Sequence, residues 1–341
     1  MSPEPGSIQA ILRQYCRSQL YVHPILWTQE HLRLLECQFV RIEPPTRGQG
    51  RDGDGADAPK ESTEQRRLQR GRIRILERLS MSASREERNK RLMNFLESYH
   101  THYSFQDGSR FPFLMDENTA ATVDVDAVFH TGSEDSPRSP VVRLHLDTVE
   151  DLRKKRYRQW DSTTNEPLAD HCRRKLRLLT PADTAEDPYL AAVLIAMAQM
   201  QRMTQTQQAT TSWTPPGSDE APMPVDTTPT AFKVHLIVLS SQQPAELYLY
   251  QASIPSAFLD KFERTSCASP CGPVRILYDK FSLQHPQRLV EQFPRVLGWG
   301  PKQGQVRKAG GSSSTVEGDG GTEDEWSTED DEGGEEWGWE E

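Results

Sequence analysis

The sequence predicts an α+β fold, in which a mixed or antiparallel sheet of about five strands packs on a buried central helix. Two observations predict it. The spacing of apolar residues changes from the helical period of 3.6 to the strand period of 2 near Thr122. The stretch after Asp187-Pro188 is apolar on nearly every face until Gln199, which indicates a helix buried on all sides.

Helices are expected in the first third of the chain. Apolar stripes predict one helix over residues 7–21 and another from about Gln29 to Val40, capped by Thr28. An Arg-rich helical stretch follows, and Ser84-Arg85-Glu86-Glu87 has the form of a capping box. This box predicts a further helix that ends near Tyr99.

Strands begin where apolar and acidic residues alternate. Residues Thr122–Phe129 predict a half-buried strand, and Val141–Leu146 predicts its hairpin partner. The remaining elements are predicted as helices over Thr148–Trp160, Pro167–Leu179 and from Asp187, strands over Phe232–Leu239, Glu246–Ile254 and Val274–Phe281, and helices over Pro255–Phe262 and Pro286–Phe293.

Stretches rich in Gly, Pro and charge divide the chain. We expect an N-terminal helical segment over residues 1–42, a disordered linker over 43–65, and an α+β core over 66–301. The core contains a disordered insert at 206–229. Residues 302–341 are predicted to form a disordered, acidic tail that contains tryptophan.

The tail is the most unusual part of the composition. Residues 317–341 carry thirteen Asp or Glu and no Lys or Arg, while the whole chain has a net charge of −10. The same stretch holds Trp326, Trp337 and Trp339, and tryptophan is a frequent anchor at interfaces. A solubilising tail and a docking segment for a basic protein partner both remain open. Ser314, Thr322, Ser327 and Thr328 each have an acid three residues on and are predicted phosphorylation sites.

The most basic segment precedes the predicted strands. Arg66, Arg67, Arg70, Arg74 and Arg78 lie within thirteen residues, in a stretch with ten Lys or Arg and four Glu. Such a segment is either a solvated helix face or a surface for acidic partners. Nucleic acid is an alternative partner through its phosphates, although no aromatic residues are interleaved for base stacking.

Composition narrows the class of protein. No apolar run is long enough to span a membrane, and the first residues lack the form of a signal peptide. Five cysteines without a disulfide framework favour free thiols in a reducing compartment. We therefore expect a cytoplasmic or nuclear protein.

Three core segments carry a family resemblance: DPYLAAVLIAMAQ, KVHLIVLS and LYLYQASIPSAFLDKF. They resemble a set of uncharacterised proteins from filamentous fungi, over about residues 85–300. That family has no assigned activity, so the resemblance implies a shared α+β core and an intracellular fungal protein, but no catalytic residues.

One cluster of acids could bind a metal. Asp124 and Asp126 share a strand face, and His145 and Asp147 share a face of the neighbouring strand. The catalytic sites of restriction-endonuclease-like nucleases combine an acid on a helix, an Asp on a strand and an acid-x-Lys pair on the neighbouring strand. Here Glu97 could be the helix acid and Asp126 the strand Asp. Arg143 and His145 stand where such a nuclease needs Glu and Lys, so the metal site would be degenerate. A solvated hairpin face is the alternative.

Other catalytic patterns are absent from the sequence. The chain has no phosphate-binding loop, dinucleotide fingerprint, nucleophile elbow or zincin motif. Cys267 and Cys271 lack the second pair that a zinc site needs. We expect no cofactor and a non-catalytic interaction protein, which docks partners through the Arg-rich segment and the acidic tail. The alternative is a nucleic-acid-binding or nuclease-like core.

Overall fold

The computed structural model describes residues 2–14, 22–43, 63–82, 84–99, 103–131, 140–161, 166–211, 230–240 and 245–297. The helices in these ranges are α1 (Ile8–Gln14), α2 (Gln29–Leu34), α3 (Thr63–Ser80), α4 (Arg85–Glu97), α5 (Leu146–Asp161), α6 (Glu166–Leu179), α7 (Pro188–Thr211), α8 (Ser256–Glu263) and α9 (Gln287–Val296). The strands are β1 (Cys37–Arg41), β2 (Tyr103–Asp107), β3 (Arg110–Met115), β4 (Asn118–Asp124), β5 (Ala127–Thr131), β6 (Val141–His145), β7 (Ala231–Ser240), β8 (Glu246–Pro255) and β9 (Val274–Ser282).

Seven of these strands form one mixed sheet in the order β1-β9-β8-β7-β6-β5-β2. The pairs β1–β9 and β6–β7 are parallel, and the other neighbours are antiparallel. Strands β3 and β4 form a separate antiparallel hairpin. The predicted α+β class and mixed sheet are confirmed, with seven strands in the main sheet where about five were predicted.

Helix α7 lies at the centre of the first core, as predicted. Its residues from Tyr189 to Ala198 are at most 1% exposed. Asp187 caps the helix, because its Oδ1 accepts a hydrogen bond of 2.9 Å from the Tyr189 N–H. The side chain of Gln199 closes the apolar stretch by pairing with both the N–H and the carbonyl of Leu114 in β3, at 3.0 Å each. A buried polar group at this position is thereby satisfied.

A second core covers the opposite face of the sheet. Helices α3, α4 and α9 supply it with Leu76, Phe95 and Phe293, all fully buried. The rings of Phe95 and Phe293 meet edge to face with centroids 5.1 Å apart. Helices therefore pack on both faces of the sheet.

Several predicted boundaries were wrong. The helix predicted from Gln29 to Val40 ends at Leu34, because Glu36 has a φ of 57° and residues Cys37–Arg41 then form β1 beside β9. The strand predicted over Thr122–Phe129 is divided between β4 and β5 by Val125 and Asp126. Strands β2 and β3 were not predicted at all.

The predicted linkers also change at their ends. Helix α3 begins at Thr63, inside the linker assigned to 43–65, and α7 continues to Thr211, inside the insert assigned to 206–229. Apart from Glu43, the rest of both segments lies outside the described residues, as does the tail at 302–341. The N-terminal segment joins the sheet through β1, while Leu32 and Leu35 enter the first core. Within the described ranges, no helix is long and apolar enough to cross a membrane.

Candidate functional site

Asp126 is the centre of a buried polar cluster at the start of β5. Its carboxylate accepts hydrogen bonds from the backbone N–H of His145 at 2.6 Å and from the hydroxyl of Thr148 at 2.9 and 3.0 Å. The guanidinium of Arg85 donates a further bond and forms an ion pair with it. Arg85 thus places a positive charge against the Asp126 carboxylate, which also accepts two neutral donors.

Local sequence places each of these donors. Ser84 caps α4 by accepting a 3.0 Å hydrogen bond from the Glu87 N–H, so Arg85 is the first residue of that helix. Helix α5 begins at Leu146, directly after β6, so its first turn presents Thr148. The first turn of α5 thus lies against the Asp126 carboxylate, the position that the helix dipole favours for an anion, and α4 reaches it through the side chain of Arg85.

His145 lies beside this carboxylate and is 1% exposed. Its Nε2 is 2.8 Å from Oδ1 of Asn89, and its Nδ1 has no hydrogen-bond partner among the described residues. Burial, followed by the nearby charges of Arg143, Arg85 and Arg88, lowers the pKa of His145 from 6.5 to about 3. The imidazole is therefore neutral near pH 7, and it is a poor proton acceptor there.

Arg143 lies on β6, two residues before His145. Its side chain is 1% exposed, and one of its terminal nitrogens lies 3.6 Å from Asp107. The pKa of Arg143 is lowered, because burial is the largest effect and the opposing charges of Asp126 and Asp107 only partly offset it. The antiparallel register pairs Arg143 with Ala127, and the N–H of Asp126, just before β5, donates a 3.1 Å hydrogen bond to the carbonyl of Arg143. Arg143 and His145 thus both lie on β6, the strand next to Asp126.

The three acids and one histidine considered as metal ligands are brought together only in part. Asp126 and His145 are neighbours, whereas Asp124 forms an ion pair of 2.9 Å with Arg110. Asp147 lies in the first turn of α5. Within the part of the chain that the structure describes, no group of three or more His, Cys, Asp or Glu could hold a metal ion.

Glu97 does not reach this cluster. It is the last residue of α4, whereas Arg85, the first, contacts Asp126. At 1.5 Å per residue, the two ends of the helix are about 18 Å apart. The expectation that Glu97 would serve as the helix acid was therefore wrong, and the helix presents a cation to Asp126 instead.

Sequence reasoning found Asp126 and His145 but missed Arg85, Asn89 and Thr148. The capping box already indicated that Arg85 starts a helix, and Thr148 follows the predicted strand directly. What the sequence did not contain was the packing of α4 over the β5–β6 pair. That packing brings Arg85 to the carboxylate from 41 positions away in the sequence, and the first turn of α5 brings Thr148 from 22 positions away.

The Arg-rich segment forms the outer face of α3. Arg67, Arg70, Arg74 and Arg78 recur every three or four residues, on the side of the helix opposite Leu76, which is fully buried. We call these four residues the arginine stripe; it extends over about 16 Å. Arg66 lies at its side. All five are exposed, and no ion pair or hydrogen bond links their side chains to another described residue.

Arg72, which lies between members of the stripe in sequence, has a different role. Its guanidinium stacks 3.6 Å from the centroid of the Tyr99 ring and donates hydrogen bonds to the hydroxyl and the carbonyl of Ser98. It therefore fastens α3 to the end of α4. The arginines of α3 divide into one that holds the helix and five that face solvent.

The remaining predicted site residues lie outside the described residues. They are Trp326, Trp337 and Trp339 for partner binding, and Ser314, Thr322, Ser327 and Thr328 for phosphorylation.

Comparison with known proteins gives no family for this chain. No protein-family model matches it, and no curated protein matches it either.

Proposed function

We propose that the protein is a non-catalytic docking protein, and that its arginine stripe binds an acidic segment of a partner protein. The observation that carries this proposal is the stripe itself: four exposed arginines on one helix face, at about one per turn, without acidic partners among the described residues. Like charges at this spacing destabilise a helix by a few tenths of a kcal/mol per pair. A carboxylate-rich partner removes that repulsion and supplies acceptors for the guanidinium groups.

The surroundings of the stripe favour a protein over a nucleic acid. Leu68 is 50% exposed within α3, and Met81, just past the end of the helix, is 81% exposed. Apolar side chains of this kind suit a partner that offers both carboxylates and apolar groups. No aromatic residue lies on α3, so the stacking that single-stranded nucleic acids use has no platform there.

The Asp126 cluster supports the non-catalytic part of the proposal. The guanidinium of Arg85 forms an ion pair with the Asp126 carboxylate, and burial lowers the pKa of His145 so that it is neutral near pH 7. The arrangement joins α4, β5, β6 and α5 by hydrogen bonds. These polar contacts stabilise the packing of elements that lie far apart in the sequence.

The acidic tail is the second half of the proposal, and it rests on sequence alone. Acid interleaved with Trp326, Trp337 and Trp339 suits a basic protein partner with an apolar pocket, in the cytoplasm or the nucleus. Phosphorylation at Ser314, Thr322, Ser327 and Thr328 would add about −1.5 to −2 charges per site and strengthen such docking. The fungal origin stays a prediction.

A matched pair of charge reversals tests the stripe. The probe is a fluorescein-labelled peptide rich in Glu with scattered Leu, followed by fluorescence anisotropy with the full chain. Replacing Arg67, Arg70, Arg74 and Arg78 by Glu should weaken binding at least about tenfold. Replacing the exposed Arg173, Arg174, Lys175 and Arg177 of α6 by Glu makes the same change in net charge and should leave binding nearly unchanged.

Two results would contradict the proposal. Equal losses in both variants would mean that net charge alone governs binding. Tighter binding of labelled single- or double-stranded DNA than of the peptide, with a steep salt dependence, would assign the stripe to nucleic acid instead.

A nuclease-like core with a degenerate metal site is the second candidate. The observation in its favour is the order of elements: helix α4, then β2, β5 and β6 as antiparallel neighbours, then a crossover to β7 parallel to β6. Asp126 stands at the start of the middle strand, next to β6. A rise in melting temperature with millimolar Mg²⁺ or Mn²⁺ that Asp126→Asn removes would favour this candidate over docking.

A further inference from the structure

Part of the sheet face that carries the second core is not covered by α3, α4 and α9, and it forms the floor of a cavity of about 660 Å³. Strands β7, β8 and β9 supply its floor, and the last residues of α9 form one wall. Along these strands the same face is apolar under the helices, with Ile237, Leu249 and Phe281, and becomes polar beyond them, with His235, Gln251 and Arg275. The cavity volume falls within the range of about 300–1,000 Å³ found for small-molecule sites.

Three cationic side chains surround this cavity. Lys233 comes from β7, Arg275 from β9 and Arg295 from α9, and all three are exposed at its rim. None forms an ion pair with another described residue, and no Asp or Glu in the described ranges lines the cavity. Three cations from three different elements therefore face one concave space without compensation, an arrangement that favours a ligand with more than one negative charge.

The other residues that line the cavity favour a ligand with an organic part. Leu277, Val296 and Leu297 provide apolar surface beside the cations, while Gln251 and Ser253 offer neutral hydrogen-bonding groups. An inorganic anion would leave the apolar surface unused. A simple fatty carboxylate carries a single charge, which matches three cations poorly.

The two arginines favour phosphate as the anionic group of the ligand. The planar guanidinium fork matches phosphate oxygens two at a time, and two of the three cations are arginines. His235 lies on the floor as a neutral group, because burial and the charge of Lys233 lower its pKa to about 4. The recognition groups thus keep the same charge throughout the neutral range.

We propose that this cavity, lined by Lys233, Arg275 and Arg295, binds an organic phosphate of nucleotide size. The phosphates lie against the three cations at the rim, and the organic body lies against Leu277, Val296 and Leu297. The site is distinct from the arginine stripe on α3 and does not depend on the proposed docking function.

The primary test is binding of ATP carrying a fluorescent methylanthraniloyl group to the full chain. Unlabelled ATP should displace it, whereas adenosine should not, and inorganic triphosphate should compete at least tenfold more weakly than ATP. Arg275→Glu and Arg295→Glu should each lower the affinity at least tenfold. Ser253→Trp, which fills the cavity without changing charge, should do the same.

Two controls separate this site from non-specific attraction. Lys90→Glu on α4 makes the same change in charge at an exposed position away from the cavity, and the stripe variant reverses four arginines of α3. Both should retain affinity within about twofold. Far-UV circular dichroism and melting temperature identify any variant that fails to fold.

Photolabelling tests the site without substitutions. ATP carrying an 8-azido group should label peptides that contain Leu277, residues 251–253 or residues 295–297. Labelling elsewhere would overturn the proposal, as would equal competition by ATP and inorganic triphosphate. Tighter binding of decanoate than of ATP would show that the cavity takes apolar carboxylates, and no detectable ATP binding at millimolar concentration would also overturn the proposal.

Discussion

Arg153 and Asp187 form an ion pair inside the first core, where both side chains are 5% exposed. Two parallel hydrogen bonds of 2.6 and 2.7 Å join them, and Arg153 also donates to the carbonyl of Ile25 at 3.2 Å. Asp187 in addition caps α7. The pair therefore links α5, the turn at Ile25 and the start of the central helix.

Removing one partner of this pair should be costly. Arg153→Met leaves the carboxylate of Asp187 buried without its cation, and we expect a loss of about 3–5 kcal/mol in the free energy of unfolding. The double variant Arg153→Met/Asp187→Asn keeps an acceptor for the Tyr189 N–H and removes the charge, so it should recover part of the loss. Urea unfolding measures both; a double variant no more stable than Arg153→Met would contradict the argument.

His145 should make stability depend on pH. Its pKa is about 3 in the fold, against 6.5 for an ordinary histidine, so the unfolded chain binds a proton that the folded chain does not. The stabilisation is complete above about pH 6.5 and is lost as the pH falls toward 3, at up to about 1.4 kcal/mol per pH unit. Urea unfolding from about pH 7 to about pH 4 should show a smaller slope for His145→Gln than for the unsubstituted chain.

The control for this prediction is His285→Gln, which changes an exposed histidine. It should leave the slope unaltered. Equal slopes in the His145→Gln variant and the unsubstituted chain would mean that other groups, not His145 between Arg85, Arg88 and Arg143, take up the proton.

At the scale of elements, α7 carries the first core. Leu194 lies in its middle and is fully buried, so Leu194→Asp places an unpaired charge among apolar side chains. We expect a loss of several kcal/mol, enough to unfold a marginally stable domain. Met203→Asp on the same helix, at a position 38% exposed, should change stability by only about 0.5 kcal/mol. A cooperatively melting Leu194→Asp protein would place the core elsewhere.

The β3–β4 hairpin contains a turn that glycine would improve. Asp116 and Glu117 have φ angles of 48° and 62°, in the left-handed region, and Glu117 is exposed. Glu117→Gly should raise the free energy of unfolding by about 0.5–1 kcal/mol, since glycine adopts this conformation without strain. Ala120→Gly, in β4 at an exposed position, should instead lower it. Denaturant titration distinguishes these outcomes, and a destabilised Glu117→Gly variant would refute the assignment of strain.

The elements that sequence predicted well are those decided by local residues. The helix α4 begins where the Ser84 capping box placed it, and α7 begins at Pro188 after its Asp187 cap. Strand β1 was assigned to a helix, because its strand conformation depends on pairing with Val274–Tyr278, more than 230 residues later. A single apolar stripe around Phe39 suits either structure until the partner strand is known.

In the candidate site too, local sequence predicted some residues and tertiary packing supplied the others. Alternation in the sequence identified Asp126 and His145 as polar residues within a sheet. Their chemistry is decided by α4, which supplies Arg85 and Asn89 from across the second core. The cavity beside Arg275 was not predicted, because its cations come from three elements that only the folded sheet brings together.

At the scale of the whole molecule, charge is distributed very unevenly. The chain has a net charge of −10, and thirteen acids lie in residues 317–341, so residues 1–316 have a net charge of +3. The arginine stripe and the three cations around the cavity lie in this basic part. Net charge governs weak attraction to polyanions, whereas an ordered set of cations governs where a polyanion binds.

Removing residues 317–341 should therefore let the protein bind heparin at low salt, because the truncated chain is weakly cationic and keeps the arginine stripe exposed. The salt concentration that elutes the truncated protein from a heparin column measures this affinity. In the truncated chain, reversal of Arg67, Arg70, Arg74 and Arg78 should abolish retention. Reversal of the four cations of α6 should abolish less of it, although both variants have the same net charge.

The comparison of these two reversals decides between a general and a local effect. If retention depends on net charge, the two variants elute together, and the exposed arginines of α3 have no special role. If the stripe forms a binding surface, four cations spaced about one turn apart on one face engage a polyanion together, and the α6 variant keeps that surface intact. Co-elution of the two variants would therefore remove the main support for the proposed docking function.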